Sequence, residues 1–395
     1  MKRMLPRVGV FGTTTTIKCL VPILKSSGFQ VVALWGRTKE QADGLAKELG
    51  IPFTTQKVDE VLLHKDVDFV VISCSPHLQS PIAVKALNIG KHVLCGTPSG
   101  PGQVEVLRMV NAARYYPRLM SLMCHSLRFL PTITKMKNLI QNGFVGDITI
   151  CEAKVHYHFS AKDSYDWTCD ELMGGGMLNT IGCNIIDIIT YLTSQKATKV
   201  HGMLKTYQKQ TDKIKGIREI TSDDFCSFQM ELEKGACATV TLNSHMPGPF
   251  IQEIIIVGSK ARLTVKGADL YGQAHDKIKE DLLQFEPVHY SEEERMGISQ
   301  KVRREIPNPY LKGMIRSVEA VRVAFGKEEV RQSWCSEPLV AAATFEDSLY
   351  TQTVIDAIKK SSKTKEWEKI VMMKEEPEPN PFLSAAMRKS TFSLH

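Results

Sequence analysis

The residues of this chain that are best suited to binding chemistry follow short apolar runs, where strands of a sheet would end. The run "VGVF" is followed by Gly12, Thr13, Thr14, Thr15 and Thr16. A G-x-G-x-x-G turn between a strand and a helix brings backbone N–H groups to the pyrophosphate of a dinucleotide. Only the first glycine of that pattern is present, and Thr14 places a β-branched side chain where close approach is needed. The loop predicts one of two alternatives: a pyrophosphate held by N–H groups and threonine hydroxyls, or a retained fold with a weakened or lost site.

The end of the second apolar run, "VVALW", indicates which dinucleotide would bind. An acidic residue there hydrogen-bonds the ribose 2′-hydroxyl of NAD, whereas an arginine accommodates the 2′-phosphate of NADP. The chain has Gly36, Arg37 and Thr38 at this place, a guanidinium and a hydroxyl without a carboxylate. Because arginine makes charge-assisted contacts to phosphate, the sequence favours NADP(H) if a dinucleotide binds. The alternative is a surface arginine beside the next helix.

The run "HVLC" is followed by Gly96, Thr97 and Pro98, a turn with no ionisable side chain. In an open α/β sheet, ligands bind at the carboxyl ends of the strands, so acids and bases are expected there. A threonine hydroxyl can orient a ligand but cannot exchange a proton near neutral pH. The place where an acid or base is expected therefore has none.

Apolar strands alternate with helical segments over the first third of the chain. "VGVFG", "VVALWG", "FVVIS" and "HVLC" are continuously apolar, as strands covered on both faces are. The segments between them have helical periodicity and close at glycines. This alternation predicts a parallel, doubly wound sheet of the α/β class, a Rossmann-type dinucleotide-binding domain over residues 1–125.

After residue 147 the pattern changes to longer segments of alternating polarity joined by short turns. "ITICEAKVHYHF" and "CATVTLNSH" predict a large, mostly antiparallel open sheet with one face packed and the other free. This second, α+β domain is expected over residues 126–365, as a substrate and dimerisation domain with a C-terminal return toward the first. Residues 275–308 are expected to form a mobile excursion, and residues 366–395 a disordered tail.

Composition argues against several classes of protein. The net charge of +7 comes without a block of basic residues, so no nucleic-acid partner is expected, and no apolar run is long enough to span a membrane. The ten cysteines contain no C-x-x-C pair and lie mostly in apolar runs, as in a reducing compartment. His156 and His158 share a strand face, but no third ligand has suitable spacing, so no metal is expected.

The basic start of the chain, before "VPIL", mimics a secretory signal. The cytoplasm is the expected location, with a secreted, matrix-associated protein as the alternative.

Several long motifs, in order, resemble the glucose-fructose oxidoreductase/inositol dehydrogenase (Gfo/Idh/MocA) family. They are "DVDFVVISCSPHLQSPIAVKALNIGKHVLC" (66–95), "LRFLPTITKMKNLIQNGFVGDI" (127–148) and "GGGMLNTIGCNIIDI" (174–188). The runs "DELMGGG", "TSDDF" and "GADLYGQ" are similar to those of animal glucose-fructose oxidoreductase domain-containing proteins. The resemblance covers residues 5–360. It implies a Rossmann domain, a larger antiparallel sheet domain and homodimers through the open sheet.

The resemblance also assigns the positions of the site. The family places a lysine after the "HVLC" strand, and an aspartate and a histidine in the glycine motif; these positions are Thr97, Thr180 and Asn184 here. No catalytic residue is therefore expected among them. The implied cofactor contacts are Gly12, Thr13, Thr14, Thr15, Arg37, Thr38, Ser73, Ser75, His77, Thr97 and Pro98.

Two hypotheses about the function remain open. The first is a non-catalytic relative that binds NADP(H) or a protein partner, with an unidentified small-molecule ligand. The second is an active NADP-dependent oxidoreductase acting on a sugar or polyol, with its acid and base relocated. Candidates for the relocated groups are Lys154, His156, Tyr157, His158, Asp163, Tyr165, Asp166 and Asp170.

Overall fold

Two β-sheets with packed helices make up the part of the chain that the structure describes. The computed structural model describes residues 5–157, 165–210, 219–286, 296–326 and 333–376. The first part of the chain contains β1 (Val8–Phe11), α1 (Thr15–Ser26), β2 (Val31–Trp35), α2 (Lys39–Leu49), β3 (Phe53–Thr55), α3 (Val58–Leu62), β4 (Phe69–Ile72), α4 (Pro76–Asn88), β5 (His92–Cys95), α5 (Gln103–Tyr115) and β6 (Ser121–Met123).

The second part begins with a 3₁₀ turn and contains most of the second sheet. Its elements are the turn Ser126–Phe129, α6 (Pro131–Gln141), β7 (Ile148–His156), a 3₁₀ turn Trp167–Cys169, a π-helical turn Leu178–Gly182, α7 (Cys183–Thr193), β8 (Ala197–Lys205), β9 (Phe225–Leu232), β10 (Cys237–Asn243), β11 (Ile251–Gly258), β12 (Ala261–Lys266), β13 (Asp269–Ala274) and β14 (Asp281–Gln284). The C-terminal part contains α8 (Gln300–Glu305), α9 (Asn308–Gly326), a 3₁₀ turn Glu337–Leu339, β15 (Ala343–Thr344), α10 (Phe345–Thr364) and β16 (Glu368–Lys369).

The first sheet has seven strands in the order β15-β6-β5-β4-β1-β2-β3. Strands β6 to β3 are parallel to one another, so the predicted doubly wound sheet is confirmed. The four predicted apolar strands are β1, β2, β4 and β5, and three of them are buried at every position because helices cover both faces. The strand order reverses at β1, which places a crevice for a ligand beyond the carboxyl ends of β1 and β4.

The second sheet has nine strands in the order β14-β13-β12-β11-β7-β10-β9-β8-β16. Its described pairs are antiparallel except for β7 with β10, so the predicted mostly antiparallel sheet is confirmed. Buried and partly exposed residues alternate along β11, where Ile254 and Ile256 are buried and Ile255 and Val257 are not. Helices α6, α7 and α10 pack against this sheet. The partly exposed residues lie on its other face.

The C-terminal part of the chain joins the two sheets. Strand β15 pairs antiparallel with β6 of the first sheet, and α10 packs against α5 and β8. Helix α9 packs against the 3₁₀ turn Ser126–Phe129 and against α1. These contacts hold both sheets around one crevice.

Two expectations about unstructured segments need correction. The segment 275–308 contains β14, which pairs with β13, and α8, because its polar strand lies at a sheet edge where few apolar residues are needed. Residues 287–295 of that segment lie outside the described residues. The expected tail begins with ordered residues, since β16 pairs with β8, whereas 377–395 lie outside the described residues. None of the described helices is long and apolar enough to cross a membrane.

Candidate functional site

A cavity of about 860 Å³ lies in the crevice between the two sheets. It extends from the first turn of α1, at Thr15 and Thr16, to the turn after β5 and the start of α7. Five of the predicted site residues line it: Thr15, Ser73, Thr97, Thr180 and Asn184. Gly12, Thr13, Thr14, Arg37, Thr38, Ser75, His77 and Pro98 are not part of its lining. The three positions that the family resemblance assigns to proton transfer thus share one cavity, although they come from both halves of the chain.

The loop between β1 and α1 has the backbone of a nucleotide-binding turn, but Thr14 adds a side chain where the glycine pattern has none. Gly12 has φ +124°, and a Cβ there would lie 2.1 Å from the carbonyl oxygen of Ser73, so only glycine fits. Thr14 is the N-cap of α1: its hydroxyl accepts from the N–H of Ile17 at 3.4 Å and donates to Ser73 O at 3.2 Å. The N–H groups of Thr15 and Thr16 precede the intrahelical hydrogen bonds and can therefore receive an anion. Thr14 does not replace those N–H groups, but its side chain ties the loop to β4.

A carboxylate from the C-terminal part of the chain lies at the same helix terminus. The Thr15 hydroxyl donates to Glu305 Oε2 at 2.6 Å, and both residues line the cavity. The partial positive charge of a helix N-terminus favours a negative group. Glu305 thus places a negative charge at the helix terminus where a pyrophosphate would place one.

The inner end of the cavity carries neutral polar groups held by local hydrogen bonds. The Thr180 hydroxyl donates to the Gly176 carbonyl at 2.8 Å, and Asn184 Nδ2 donates to the Thr180 carbonyl at 3.1 Å. Burial raises the pKa of the Cys183 thiol to about 12, and a hydrogen bond with Thr97 opposes that rise. Thr97, Thr180 and Asn184 are therefore positioned to orient a ligand.

The π-helical turn Leu178–Gly182 sets the direction of these side chains. Asp223, a buried residue before β9, accepts from the N–H of Leu178 at 2.8 Å. A Cβ at Gly176 would lie 2.0 Å from Asp223 Oδ1, so this glycine permits the contact. Burial raises the pKa of Asp223 to about 6. Asp223, in the run "TSDDF", thus caps the turn that carries Thr180.

A buried ion pair holds α7 against the 3₁₀ turn that follows β6. The Arg128 guanidinium donates to both oxygens of Asp187, at 2.8 and 2.6 Å, and Asp187 is 1% exposed. Arg128 also lies 3.5 Å from Asp347. His125 lies 3.6 Å from Asp187, and burial lowers its pKa. Asp187 is one turn beyond Asn184, so this network positions the pocket side of α7.

Three predicted cofactor contacts, Arg37, Thr38 and His77, lie outside the cavity. Thr38 is the N-cap of α2 and accepts from the N–H of Gln41 at 3.3 Å, and Arg37 is exposed beside it. Burial and the nearby positive charge of Arg37 lower the pKa of His77. Nδ1 of His77 is buried without a hydrogen-bond partner among the described residues. Arg37 therefore supplies the positive charge at these strand ends, and the neutral form of His77 is favoured beside it.

Ser75 and Pro98 have structural positions. Ser75 precedes α4 without a side-chain cap, and the Thr97–Pro98 peptide bond is cis. The Gln79 side chain, buried in α4, donates to the carbonyls of Pro98 at 2.8 Å and Cys74 at 3.1 Å. It thereby joins the ends of β4 and β5.

Most candidates for a relocated acid or base are accounted for by local contacts or lie outside the cavity. Asp166 caps the 3₁₀ turn Trp167–Cys169, and Asp170 accepts from the N–H of Leu172 at 2.9 Å, as expected for a cap. Tyr157 lines the cavity, whereas Lys154 and His156 do not. Tyr165 donates weakly to a backbone carbonyl. His158 and Asp163 lie outside the described residues.

Sequence reasoning missed several residues of the cavity. Glu305 and Tyr310 come from the segment around α8 and α9, and Ser126 from the turn after β6. No strand-end or glycine signal marks Glu305 or Tyr310, because they reach the cavity only through packing of α9 on the first sheet. In the described part of the chain, no group of three or more His, Cys, Asp or Glu residues is arranged to hold a metal ion.

Comparisons with known proteins identify both parts of the chain. Residues 6–122 match the oxidoreductase family with an NAD-binding Rossmann fold, and residues 133–264 match the GFO/IDH/MocA C-terminal domain. The chain is 53% identical over 394 residues to glucose-fructose oxidoreductase domain-containing protein 1 of Xenopus tropicalis, covering 99% of this chain and 100% of the relative. It is 47% identical over 388 residues to glucose-fructose oxidoreductase domain-containing protein 2 of Homo sapiens, covering 98% and 99%.

Solved structures of low sequence identity share the fold. An oxidoreductase domain protein from Kribbella flavida superimposes with a TM-score of 0.76 at 22% identity, covering 93% of this chain and 100% of the other. Levoglucosan dehydrogenase in complex with NADH and L-sorbose superimposes with a TM-score of 0.77 at 19% identity, covering 94% and 100%. These similarities concern the fold alone.

Proposed function

The chain belongs to the GFO/IDH/MocA family of oxidoreductases, and from this we propose that it binds a nicotinamide dinucleotide, preferably NADP(H), without catalysing hydride transfer. A bound nicotinamide ring would supply a hydride donor or acceptor. The residues of this chain would bind and orient the cofactor and a second ligand. They would not move the proton that the reaction also needs.

The residues at the carboxyl ends of β1 and β2 fit a dinucleotide. Gly12 allows the close turn, and the N–H groups at Thr15 and Thr16 face the cavity at the start of α1. Arg37 lies exposed at the end of β2 near His77, where it can pair with a 2′-phosphate. Glu305 and the side chain of Thr14 act against the pyrophosphate, so we expect binding to be weak.

The proposal that the protein is not catalytic rests on which ionisable groups line the cavity. Hydride transfer to or from an alcohol carbon needs a group that exchanges the hydroxyl proton. Among the described residues that line the cavity, the ionisable groups are Cys124, Tyr157, Arg304, Glu305 and Tyr310. Burial raises the pKa of Cys124 to about 12 and raises the pKa of both tyrosines, and an arginine stays charged.

The remaining ionisable group, Glu305, is hydrogen-bonded to Thr15 at the α1 end of the cavity. Thr97, Thr180 and Asn184 lie at the other end. A proton carrier that titrates near neutral pH is therefore missing from the described lining at the place where the family resemblance puts lysine, aspartate and histidine.

The test follows cofactor absorbance with NADP⁺ or NAD⁺ and a panel of sugars and polyols that includes levoglucosan, L-sorbose and myo-inositol. We expect no turnover from the parent protein above a buffer blank, with levoglucosan dehydrogenase as the positive control. A Thr97→Lys/Thr180→Asp/Asn184→His variant is expected to gain turnover. We leave Gly96 unchanged in it, because a Cβ there would lie 3.1 Å from the Ile72 carbonyl oxygen. Robust turnover by the parent protein would refute the proposal.

We also propose a homodimer through the open face of the second sheet. The central strands of that face carry partly exposed apolar side chains, Ile150 on β7 and Ile255 and Val257 on β11. Val257 pairs with Ile150 across the two strands, so these residues form one apolar patch. Sedimentation should give a dimer for the parent protein and a monomer for Ile255→Lys. A monomeric parent protein would contradict this proposal.

For location we propose the cytoplasm. β1 is an inner strand of the first sheet and pairs with both β2 and β4, so removing the start of the chain as a signal peptide would remove an essential strand. All ten cysteines are free thiols; seven of them are buried, two are half-buried and one is exposed. N-terminal sequencing of the cellular protein checks this: cleavage within the segment that contains β1 would overturn it.

A further inference from the structure

The side chain of Gln56 holds the loop that carries Arg37. Gln56 follows β3, which pairs with β2 in the first sheet, and its Nε2 donates to the carbonyl oxygen of Arg37 at 3.2 Å. The backbone of Gln56 is held in turn, because its carbonyl accepts from the indole N–H of Trp35 at 2.8 Å. Gln56 therefore links the ends of β2 and β3 at Arg37.

The turn that carries Gln56 has hydrogen bonds of its own. The Thr55 hydroxyl accepts from the N–H of Lys57 at 3.0 Å and donates to Glu60 Oε2 at 2.6 Å. These bonds join the end of β3 to the first turn of α3. Gln56 thus reaches across to the neighbouring loop from a fixed backbone, which reduces the entropy lost in forming its bond.

The residues on both sides of Arg37 are also held in place. A Cβ on Gly36 would lie 2.8 Å from the Cβ of Ala42, so Gly36 packs directly on α2. Thr38 is the N-cap of α2. The Arg37 carbonyl lies between these two anchored residues, and Gln56 is the side chain that binds it. The conformation of the Arg37 backbone therefore depends on the amide of Gln56.

We propose that Gln56 is a positioning residue for the preference for NADP(H): by fixing the Arg37 backbone, it holds the guanidinium where a 2′-phosphate would bind. The inference rests on the proposed function, because Arg37 is the residue that would pair with that phosphate. NADH has no 2′-phosphate, so the contribution of Gln56 is confined to NADP(H). Gln56 acts through Arg37 and not through a contact of its own with the cofactor.

The experiment compares Gln56→Ala with the parent protein in calorimetric titrations of NADPH and of NADH. The bond is exposed and neutral, so we expect its loss to reduce the fraction of protein with a binding-competent loop to about one third. NADPH should then bind about threefold more weakly, and NADH as before. In an Arg37→Ala background, Gln56→Ala should have no further effect on NADPH binding, because the residue acts through Arg37.

Gln273→Ala is the matched control. Gln273 Nε2 donates to the carbonyl of Lys277 at 2.8 Å, an exposed bond of the same kind, on β13 of the second sheet and outside the cavity lining. This variant should bind NADPH like the parent protein.

Hydrogen exchange of the free protein tests the positioning role without a cofactor. The N–H of Gly36 donates to the Thr55 carbonyl at 3.1 Å, and the N–H of Gln41 donates to the Thr38 hydroxyl at 3.3 Å. Both N–H groups should exchange faster in Gln56→Ala, because the loop between them opens more often.

Three results would overturn the inference: equal NADPH affinities of Gln56→Ala and the parent protein, an equal effect of Gln56→Ala with and without the Arg37 side chain, or unchanged exchange at Gly36 and Gln41. If the parent protein prefers NADPH and Gln56→Ala keeps that preference, this inference alone fails. A parent protein that does not prefer NADPH contradicts the proposed cofactor preference, and the role of Gln56 fails with it.

Discussion

Replacing Glu305 with glutamine is expected to tighten dinucleotide binding about fivefold. The Glu305 carboxylate accepts from the Thr15 hydroxyl at 2.6 Å, at the first turn of α1 where a pyrophosphate would bind. Glutamine keeps the length of the side chain and an oxygen for Thr15, but it removes the negative charge. The variant therefore isolates the electrostatic effect of Glu305 on a dianionic ligand.

The size of the effect follows from the exposure and position of this carboxylate. Glu305 is exposed, so a dielectric constant close to that of water applies. At a separation of about 5 Å each phosphate charge then interacts unfavourably by about 0.8 kcal/mol. Screening by physiological salt, with a Debye length of about 8 Å, reduces the total repulsion between Glu305 and the two phosphate charges to about 1 kcal/mol. This repulsion corresponds to about a fivefold change in Kd.

Calorimetric titration of NADPH at low and at physiological ionic strength measures the effect. The difference between the parent protein and Glu305→Gln should widen at low salt, because less of the repulsion is screened. Glu280→Gln serves as the control, since Glu280 pairs with Lys266 on the second sheet and is not part of the cavity lining. Equal affinities for the parent protein and Glu305→Gln at both salt concentrations would refute the reasoning.

Three further outcomes are expected. Arg37→Ala should weaken NADPH binding about tenfold and leave NADH binding nearly unchanged, because a charge-assisted contact to the 2′-phosphate is lost; equal affinities of the parent protein for both cofactors would count against this role. Asp187→Asn should lower the free energy of unfolding by about 3 kcal/mol in urea denaturation, because it breaks the buried pair with Arg128; a loss below about 1 kcal/mol would show that the pair is dispensable. The pKa of Asp223 is raised to about 6 in the folded protein, so its protonated form stabilises the fold and that stability is lost as pH rises through about 6. Between about pH 5 and pH 7 the parent protein should lose about 1.4 kcal/mol of stability relative to Asp223→Asn, and parallel pH profiles of the two proteins would contradict this.

The elements of the first sheet could be predicted because their signals are local. β1, β4 and β5 are short apolar runs bounded by polar or glycine-containing turns, and such runs are typical of strands covered by helices on both faces. The short edge strand β3 and the polar strand β14 were not predicted. Strands at a sheet edge bury few side chains, so their sequences carry little periodicity.

The polar groups of the pocket were predictable only in part. Thr97 follows an apolar strand, and Thr180 and Asn184 lie in a glycine motif, so the motifs marked these residues and the structure places them in one cavity. Their local hydrogen bonds were not visible in the sequence. Those bonds depend on the π-helical turn and on Asp223, which approaches from a distant part of the chain.

The sequence alone determined the two kinds of sheet, the strand ends that carry Gly12, Arg37 and Thr97, and the lack of a lysine after β5. The tertiary structure decided what else reaches those strand ends. Glu305 meets Thr15 across 290 positions of the chain, and Tyr310 enters the cavity because α9 packs on the turn after β6. Such contacts form when buried apolar surfaces on separate elements pack together, so the polar residues that they bring into the pocket have no signature in their own neighbourhood of the sequence.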